Sequence, residues 1–370
     1  MKLNARAAQR GFSLIELMVG MAIGLLCTLV IATVLSSAEG MRRGTTAGAD
    51  AQINGALALY AVQREVAMAG YGFASEAATL GCPLSAFFNG AAVTVLPAQL
   101  APVLITQGVN GASDQIRVVA SSKQILANNN VAQVGYSVPL RVTAPVYTPV
   151  STGYSVWSNR GVLPGDLMIA VIGADQPCEL FQATAVPANG KSVTRGINAA
   201  LWNPAGFPTQ TTTTTGSMLV NMGTLVDVIF SVDATQRLVS STLNTTTLQR
   251  NVMALQSNIV LFKSLYGRDT NADGAVDVYD YRTPTNSAEW AQVLSVRMAV
   301  VARSAQYERD EVTTTAPTWV VGKAAAVTGA VDCGESACVS LPLTGLADWK
   351  HYRYKVFDTV VPLRNQRWKS

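Results

Sequence analysis

Six residues in the segment DTNADGAVDVYD have the types and spacing to hold a hard cation. Asp269, Asn271, Asp273, Asp277 and Asp280 stand at positions 1, 3, 5, 9 and 12 of an EF-hand-type loop, and Ala275 offers its backbone carbonyl at position 7. Gly274, at position 6, supplies the backbone freedom for the sharp turn. Six or more oxygens gathered in one turn suit calcium, the expected cofactor of this segment. Two features depart from the pattern. Position 12 is an aspartate, shorter than the glutamate that normally binds through both oxygens, and the Thr-Pro-Thr that follows starts no exiting helix, so only an entering helix fits. A solvated acidic turn is the alternative reading.

Glu16 is chemically marked in another way. From Leu17 to Leu35 the chain carries nineteen residues without a charge, close to the roughly 20 that a membrane-spanning helix needs. A carboxylate at the head of such a run costs free energy, about 2.5 kcal/mol or more at the bilayer centre and less near the interface. In one reading Glu16 sits at headgroup level and favours the positive end of the helix dipole. In the other it pairs with the freed N-terminal amine of a neighbouring subunit. The preceding residues carry Lys2, Arg6 and Arg10 and no acid, a pattern that keeps a leader cytoplasmic. A secretory signal would place its cleavage site after the apolar run. Here the best junction, Gly11/Phe12, precedes it, so cleavage leaves the apolar helix on the mature protein with Glu16 as its fifth residue.

Other chemistry is sparse. The 370 residues include one histidine, His351, and no G-x-S-x-G, P-loop or H-E-x-x-H pattern, so an enzyme is the least expected class. Asp166, in GVLPGDLM, is read as completing a turn. Cys27 lies in the apolar run; Cys82, Cys178, Cys333 and Cys338 form an even set beyond it, as two disulfides in an oxidising compartment would require. Cys333 and Cys338 could staple a tight loop, leaving Cys82 with Cys178, although three connectivities exist. Net charge is +4 and falls to +1 without the three leader cations, so no global basic signature of nucleic-acid binding is present. The basic, aromatic C-terminal segment (Lys350, Arg353, Lys355, Arg364, Arg367 and Lys369 among Tyr352, Tyr354 and Trp368) reads as the solvated face of a last strand rather than a phosphate-binding surface.

The elements that must position these residues follow from periodicity. No proline occurs before Pro83, and Ile53, Leu57, Tyr60, Arg64 and Met68 recur at helical spacing. One helix is expected over about 13–69, on the order of 85 Å long, with partial melting at about 36–50 where glycines cluster. Residues 72–241 read as strands in runs such as QIRVVA, YSVPLRVTA, GDLMIAVIG, LFQATAV and TLVDVIFSV. Asn128 to Asn130 and Thr211 to Thr215 read as exposed polar loops. Leu248, Val252, Leu255, Ile259, Phe262 and Leu265 predict a second amphipathic helix over about 246–266. Two last strands follow as an antiparallel pair around VLSVRMAVVAR and YRYKVFDTVVPLR, with Arg297 and Arg303 on one outward face and CGESAC in the connection.

The N-terminal residues resemble the type IV pilins and pseudopilins, whose prepilin signature is a basic leader, a glycine, F-[ST]-L-[IL]-E and an apolar helix; here it stands as RGFSLIEL. The resemblance implies cleavage after Gly11 by an inner-membrane prepilin peptidase, N-methylation of Phe12 and a filament-docking role for Glu16. The proline common near mature position 22 of major pilins is Thr33 here. REVAMAGYG, GDLMIAV with CELFQ, SLYGRDTNADGAVD, SVRMAVVARS and VFDTVVPLRN are similar to the PilW minor pilins. That branch implies a low-abundance subunit that joins other minor pilins and the major pilin to prime pilus assembly at or near the tip, with a large tip adhesin as a further candidate partner.

The expected fold is α+β: a leader over 1–11, a long N-terminal helix over 12–71 that spans the membrane and then packs on the head, and a β-rich periplasmic head over 72–370 with antiparallel sheet, its PilW-like part at about 246–370. The expected function is that of a minor pilin in the inner membrane and then the pilus, supporting motility and adhesion. A tip module for adhesion or DNA uptake, and a minor pseudopilin of a type II secretion system, are the alternatives.

Overall fold

The computed structural model describes residues 13–123, 139–143, 153–188, 190–204, 217–343 and 345–367. Gly11, Phe12, both polar tracts, Trp368 and Lys369 lie outside them. The chain divides into two compact units, Met1–Asp50 and Ala51–Ser370. Helix α1 is assigned over Leu14–Ala67 without interruption, through Thr33 and through the glycine-rich stretch expected to melt. Within the apolar run the hydroxyls of Thr28 and Thr33 donate to the carbonyls of Leu25 and Val30 at 2.8 Å, so neither is left unpaired where water is absent.

In the second unit one face of α1 is made of small or branched apolar residues. Ala51, Ala58, Leu59, Val62 and Val66 are buried in the main core. Gly55 belongs to the same face: a Cβ built on it would lie 2.2 Å from Phe357 Cε2 and 3.1 Å from Ala302 Cβ. Its absent side chain is therefore what lets the helix approach the C-terminal strands. The periodic residues Ile53, Leu57, Tyr60 and Met68 lie on the other face and are 47–63 % exposed. Beyond the helix Gly70, at φ +74°, donates its N–H to the Val119 carbonyl at 2.8 Å, a left-handed turn that a Cβ would strain.

Three larger sheets follow. The first has six strands, in the order Ala91–Ala92, Leu84–Phe88, Cys178–Gln182, Leu167–Val171, Met218–Gly223 and Leu140–Arg141. Its second and third strands are parallel, with Leu84 opposite Cys178. The second sheet is wholly antiparallel, ordered Arg250–Ser257, Arg237–Leu243, Val226–Val232, Gln115–Ala120, Val103–Thr106. The third runs Ala326–Val327, Val278–Asp280, Ile259–Arg268, Val293–Arg303, Tyr354–Pro362. The last two of these strands form the expected antiparallel pair, in register from Ser295↔Pro362 to Arg303↔Tyr354.

The helix expected over 246–266 is instead two strands, Arg250–Ser257 and Ile259–Arg268. Asn258 at φ +58° lies between them, and Leu248 at φ +57° precedes the first. The physical reason is that Ile259–Arg268 is buried on both sides. Ile259, Phe262 and Tyr266 face the main core, while Val260, Leu261 and Leu265 face a C-terminal cluster around Trp319. Such a strand reads as a continuous apolar run, in which helical spacing can be found by coincidence. The short helices lie elsewhere, at Ser287–Ala291 and Arg364–Arg367. The former is capped by the Asn286 side chain, which accepts from Glu289 N–H, and its Trp290 is fully buried.

The same C-terminal cluster corrects the reading of Arg297. It shares a strand face with Ala299, Val301 and Arg303, as period two requires, but Trp319 and Val321 cover that face. Arg297 donates to the Val321 carbonyl at 2.7 Å, and its guanidinium carbon lies 5.4 Å from the ring centres of both Tyr279 and Trp319. Arg303 lies 4.1 Å over the ring of Tyr352. Two disulfides close the head, Cys82–Cys178 at the start of the parallel pair and Cys333–Cys338 within the last connection.

Gly55→Ala should lower the thermal midpoint of the full chain, because overpacking of about 1–3 kcal/mol outweighs a helix-propensity gain of about 1 kcal/mol. In a Phe357→Ala background the same change should become neutral or stabilising. A double-mutant cycle by thermal unfolding checks the reversal.

Candidate functional site

Ser13 and Glu16 open α1 as a reciprocal cap. The backbone N–H of Ser13 donates to Glu16 Oε2 at 2.9 Å, and Ser13 Oγ accepts from Ile15 N–H at 3.2 Å. Ser-x-x-Glu before an apolar run is the sequence signature of this arrangement, a capping signal that the charge of Glu16 alone does not convey. Behind it Leu14–Glu39 is long and apolar enough to cross a membrane, with mean hydropathy 2.5. Its side chains project outward: Leu14 is 77 % exposed, and Leu25, Leu29 and Leu35 are each at least 60 % exposed.

Farther along α1, Ile53, Leu57 and Tyr60 are exposed apolar residues in successive turns of the second unit, with Arg64 next in the row and Met68 exposed just past the end of the helix. Both segments of α1 therefore present apolar surface that no described part of the chain covers.

The acidic loop joins Ile259–Arg268 to Val278–Asp280, so both flanking elements are strands and the expected entering helix is absent. Asp269 accepts the backbone N–H groups of Ala272 and Gly274 at 2.6 and 2.8 Å. Asp277 accepts both the N–H and the hydroxyl of Thr270, at 2.7 and 2.8 Å. The Thr270 backbone N–H is the foremost cause that holds the Asp277 carboxyl below its usual range. Asn271 bridges Asp273 and Asp277 through its amide. Asp280 is ion-paired with Arg268 and reaches the loop only if that pair opens. Among the described residues no three acidic, histidine or cysteine side chains converge as a metal site. Asp269, Asn271, Asp273, Asp277 and the Ala275 carbonyl remain the oxygens that the loop could turn toward an ion.

The remaining candidates are structural. Asp166 accepts Leu163 N–H at 2.8 Å and Asn221 Nδ2 at 3.0 Å and pairs with Lys123, which closes the turn before its strand. His351 stacks on Tyr307 at 4.8 Å, with Nδ1 2.8 Å from the Glu308 carbonyl oxygen. In the basic C-terminal segment Lys350 pairs with Glu311 and Arg353 with Glu308. These partners come from residues 304–315, which the spacing of the basic residues alone does not reveal.

Comparison with known families finds two matches. The family described as Type IV Pilus-assembly protein W matches residues 228–365, and the prokaryotic N-terminal methylation motif matches residues 6–32. The first match covers the second and third sheets from Val228 onward; REVAMAGYG, GDLMIAV and CELFQ fall outside it. No curated protein and no solved structure matches.

Calcium titrated calorimetrically into the full chain should give a binding heat and a thermal shift, both lost in Asp269→Ala and Asp273→Ala. Absence of heat and shift in the unaltered chain removes calcium from this loop.

Proposed function

We propose that the chain is a PilW-like type IV minor pilin, one that primes pilus assembly within a minor-pilin complex and stays at or near the tip. The observation that carries this reading is the complete prepilin signature joined to the membrane-length apolar run Leu14–Glu39, with Ile53, Leu57 and Tyr60 as further exposed apolar residues of the same helix. Burial of apolar surface contributes roughly 25 cal/mol per Å², so neighbouring pilin helices are the natural cover for it. In this proposal prepilin peptidase cuts between Gly11 and Phe12, Phe12 is N-methylated, and the subunit waits in the inner membrane with its head in the periplasm. Other minor pilins and the major pilin then pack against α1, with the acidic loop as a calcium site of the head. The role is structural rather than catalytic, and motility and adhesion follow from the filament.

Glu16 has two tasks in this scheme. Before assembly it caps its own helix; on assembly the carboxylate moves to the amine of a neighbouring subunit. The two tasks make different demands, because a cap needs an acceptor oxygen and an amine partner needs a charge.

Glu16→Gln keeps the acceptor and loses the charge, whereas Glu16→Ala loses both. Both variants should be processed normally and both should be depleted from sheared pili, as read by immunoblot. If Glu16→Gln enters filaments at the normal level, capping alone accounts for the residue.

Deletion of the gene in a strain whose retraction motor is disabled should sharply reduce surface pili counted by electron microscopy. Normal pili would overturn the priming role and favour a tip-binding module or a secretion pseudopilus.

A further inference from the structure

A cleft of about 560 Å³ lies in the head beside the Val103–Thr106 edge of the second sheet. It is within the roughly 300–1,000 Å³ typical of ligand sites, and none of its lining residues belongs to α1 or to the acidic loop. Its apolar wall is formed by Leu104, Ile105 and Ile229, and its polar rim by Thr106, Gln115 and Thr283. Among the described residues no acidic side chain lines it.

The cation at its edge is Arg117, which holds the fully buried Asp227 through Nε at 2.8 Å and through Nη2. Arg250 shares the same carboxylate at 2.8 Å. Two guanidiniums on one buried carboxylate leave this cluster with one net positive charge. Arg117 Nη2 also donates to the Val95 carbonyl, whereas Nη1 meets no acceptor among the described residues. An unfilled guanidinium nitrogen beside an acid-free, partly apolar cleft calls for a carboxylate carried on an aliphatic body.

We infer that this cleft binds a short peptide segment of a partner protein that carries an acidic residue between apolar ones, with the carboxylate on Arg117 and the apolar side chains against Leu104, Ile105 and Ile229. The chemistry disfavours other ligand classes. No aromatic ring lines the cleft to stack a sugar or a base, and a single net charge suits a monoanion rather than a chain of phosphates. Thr106 and Gln115 are exposed at the rim, where hydroxyl and amide groups can meet main-chain amides.

The test uses the full-length chain in detergent micelles and fluorescence anisotropy with three labelled tetrapeptides, Leu-X-Val-Thr, in which X is Glu, Gln or Lys. The Glu peptide should bind at least about tenfold more tightly than the Gln peptide, and the Lys peptide should not bind. Gln115→Glu places a like charge at the rim and Ala98→Trp fills the mouth. Both positions are exposed and outside the buried ion cluster, so both variants should lose binding with an unchanged thermal midpoint. Equal affinity for the three peptides, absence of binding by the Glu peptide, or binding that survives both substitutions overturns the inference. Neither substitution touches α1, so filament entry reports on the assembly role separately.

Discussion

Close approach of α1 to the head is the constraint on which the remaining architecture depends. The contact face offers little side-chain volume, with Ala51, Gly55 and Ala58 in successive turns, and Phe357 occupies the space a Cβ at residue 55 would need. Leu59, Val62 and Val66 continue this buried face, and the residues on the opposite face stay free. Ile53, Leu57, Tyr60 and Met68 thus remain outside, where a monomer gains nothing from them and an assembly does. The anchoring contact and the exposed apolar residues lie on two faces of the same four turns of helix.

Behind that contact, the strand pair Ile259–Arg268 and Val293–Arg303 serves both cores at once. Val296, Met298, Val300 and Ala302 belong to the main core, and Ala299 and Val301 to the Trp319 cluster. Tyr266 adds a polar tie between sheets: its hydroxyl oxygen accepts Ile105 N–H at 2.7 Å, and burial pushes its phenol up to about 12. That bond satisfies a backbone group on an edge strand that would otherwise be open to pairing. Ionisation of Tyr266 is disfavoured in the native state, so this contribution is fully present below the ordinary tyrosine value near 10, neutral pH included, and is lost as pH rises through about 12.

Much of this was legible in the sequence. QIRVVA, LMIAV, VDVIFSV and the final two strands stand where β-branched runs place them, and the prepilin signature lies within the segment that matches the N-terminal methylation motif. The failures share one cause: a pattern shows periodicity but not what covers each face. Ile259, Phe262 and Leu265 fit helical spacing because a strand buried on both sides needs apolar residues at nearly every position, whereas Val252 and Leu255 lie on a separate, largely exposed strand and fit it by coincidence. Arg297 alternates correctly, yet a layer contributed by residues 318–343 closes over it. The entering helix of the acidic loop failed with the 246–266 segment, since they are the same residues. The cleft beside Arg117 had no sequence signal, because residues 98, 104, 117, 229 and 283 meet only through the sheets.

The Cys82–Cys178 bridge has a mechanical consequence. It ties together residues 96 apart in sequence, and an extended chain spans at most about 3.3–3.6 Å per residue, so some 300 Å of contour is withheld from any pull on the two ends of the head. A tensile load would bypass the strands of the first sheet that lie inside the covalent loop. It would fall instead on the hydrogen bonds of the segments outside it, which include the strand pair shared by the two cores.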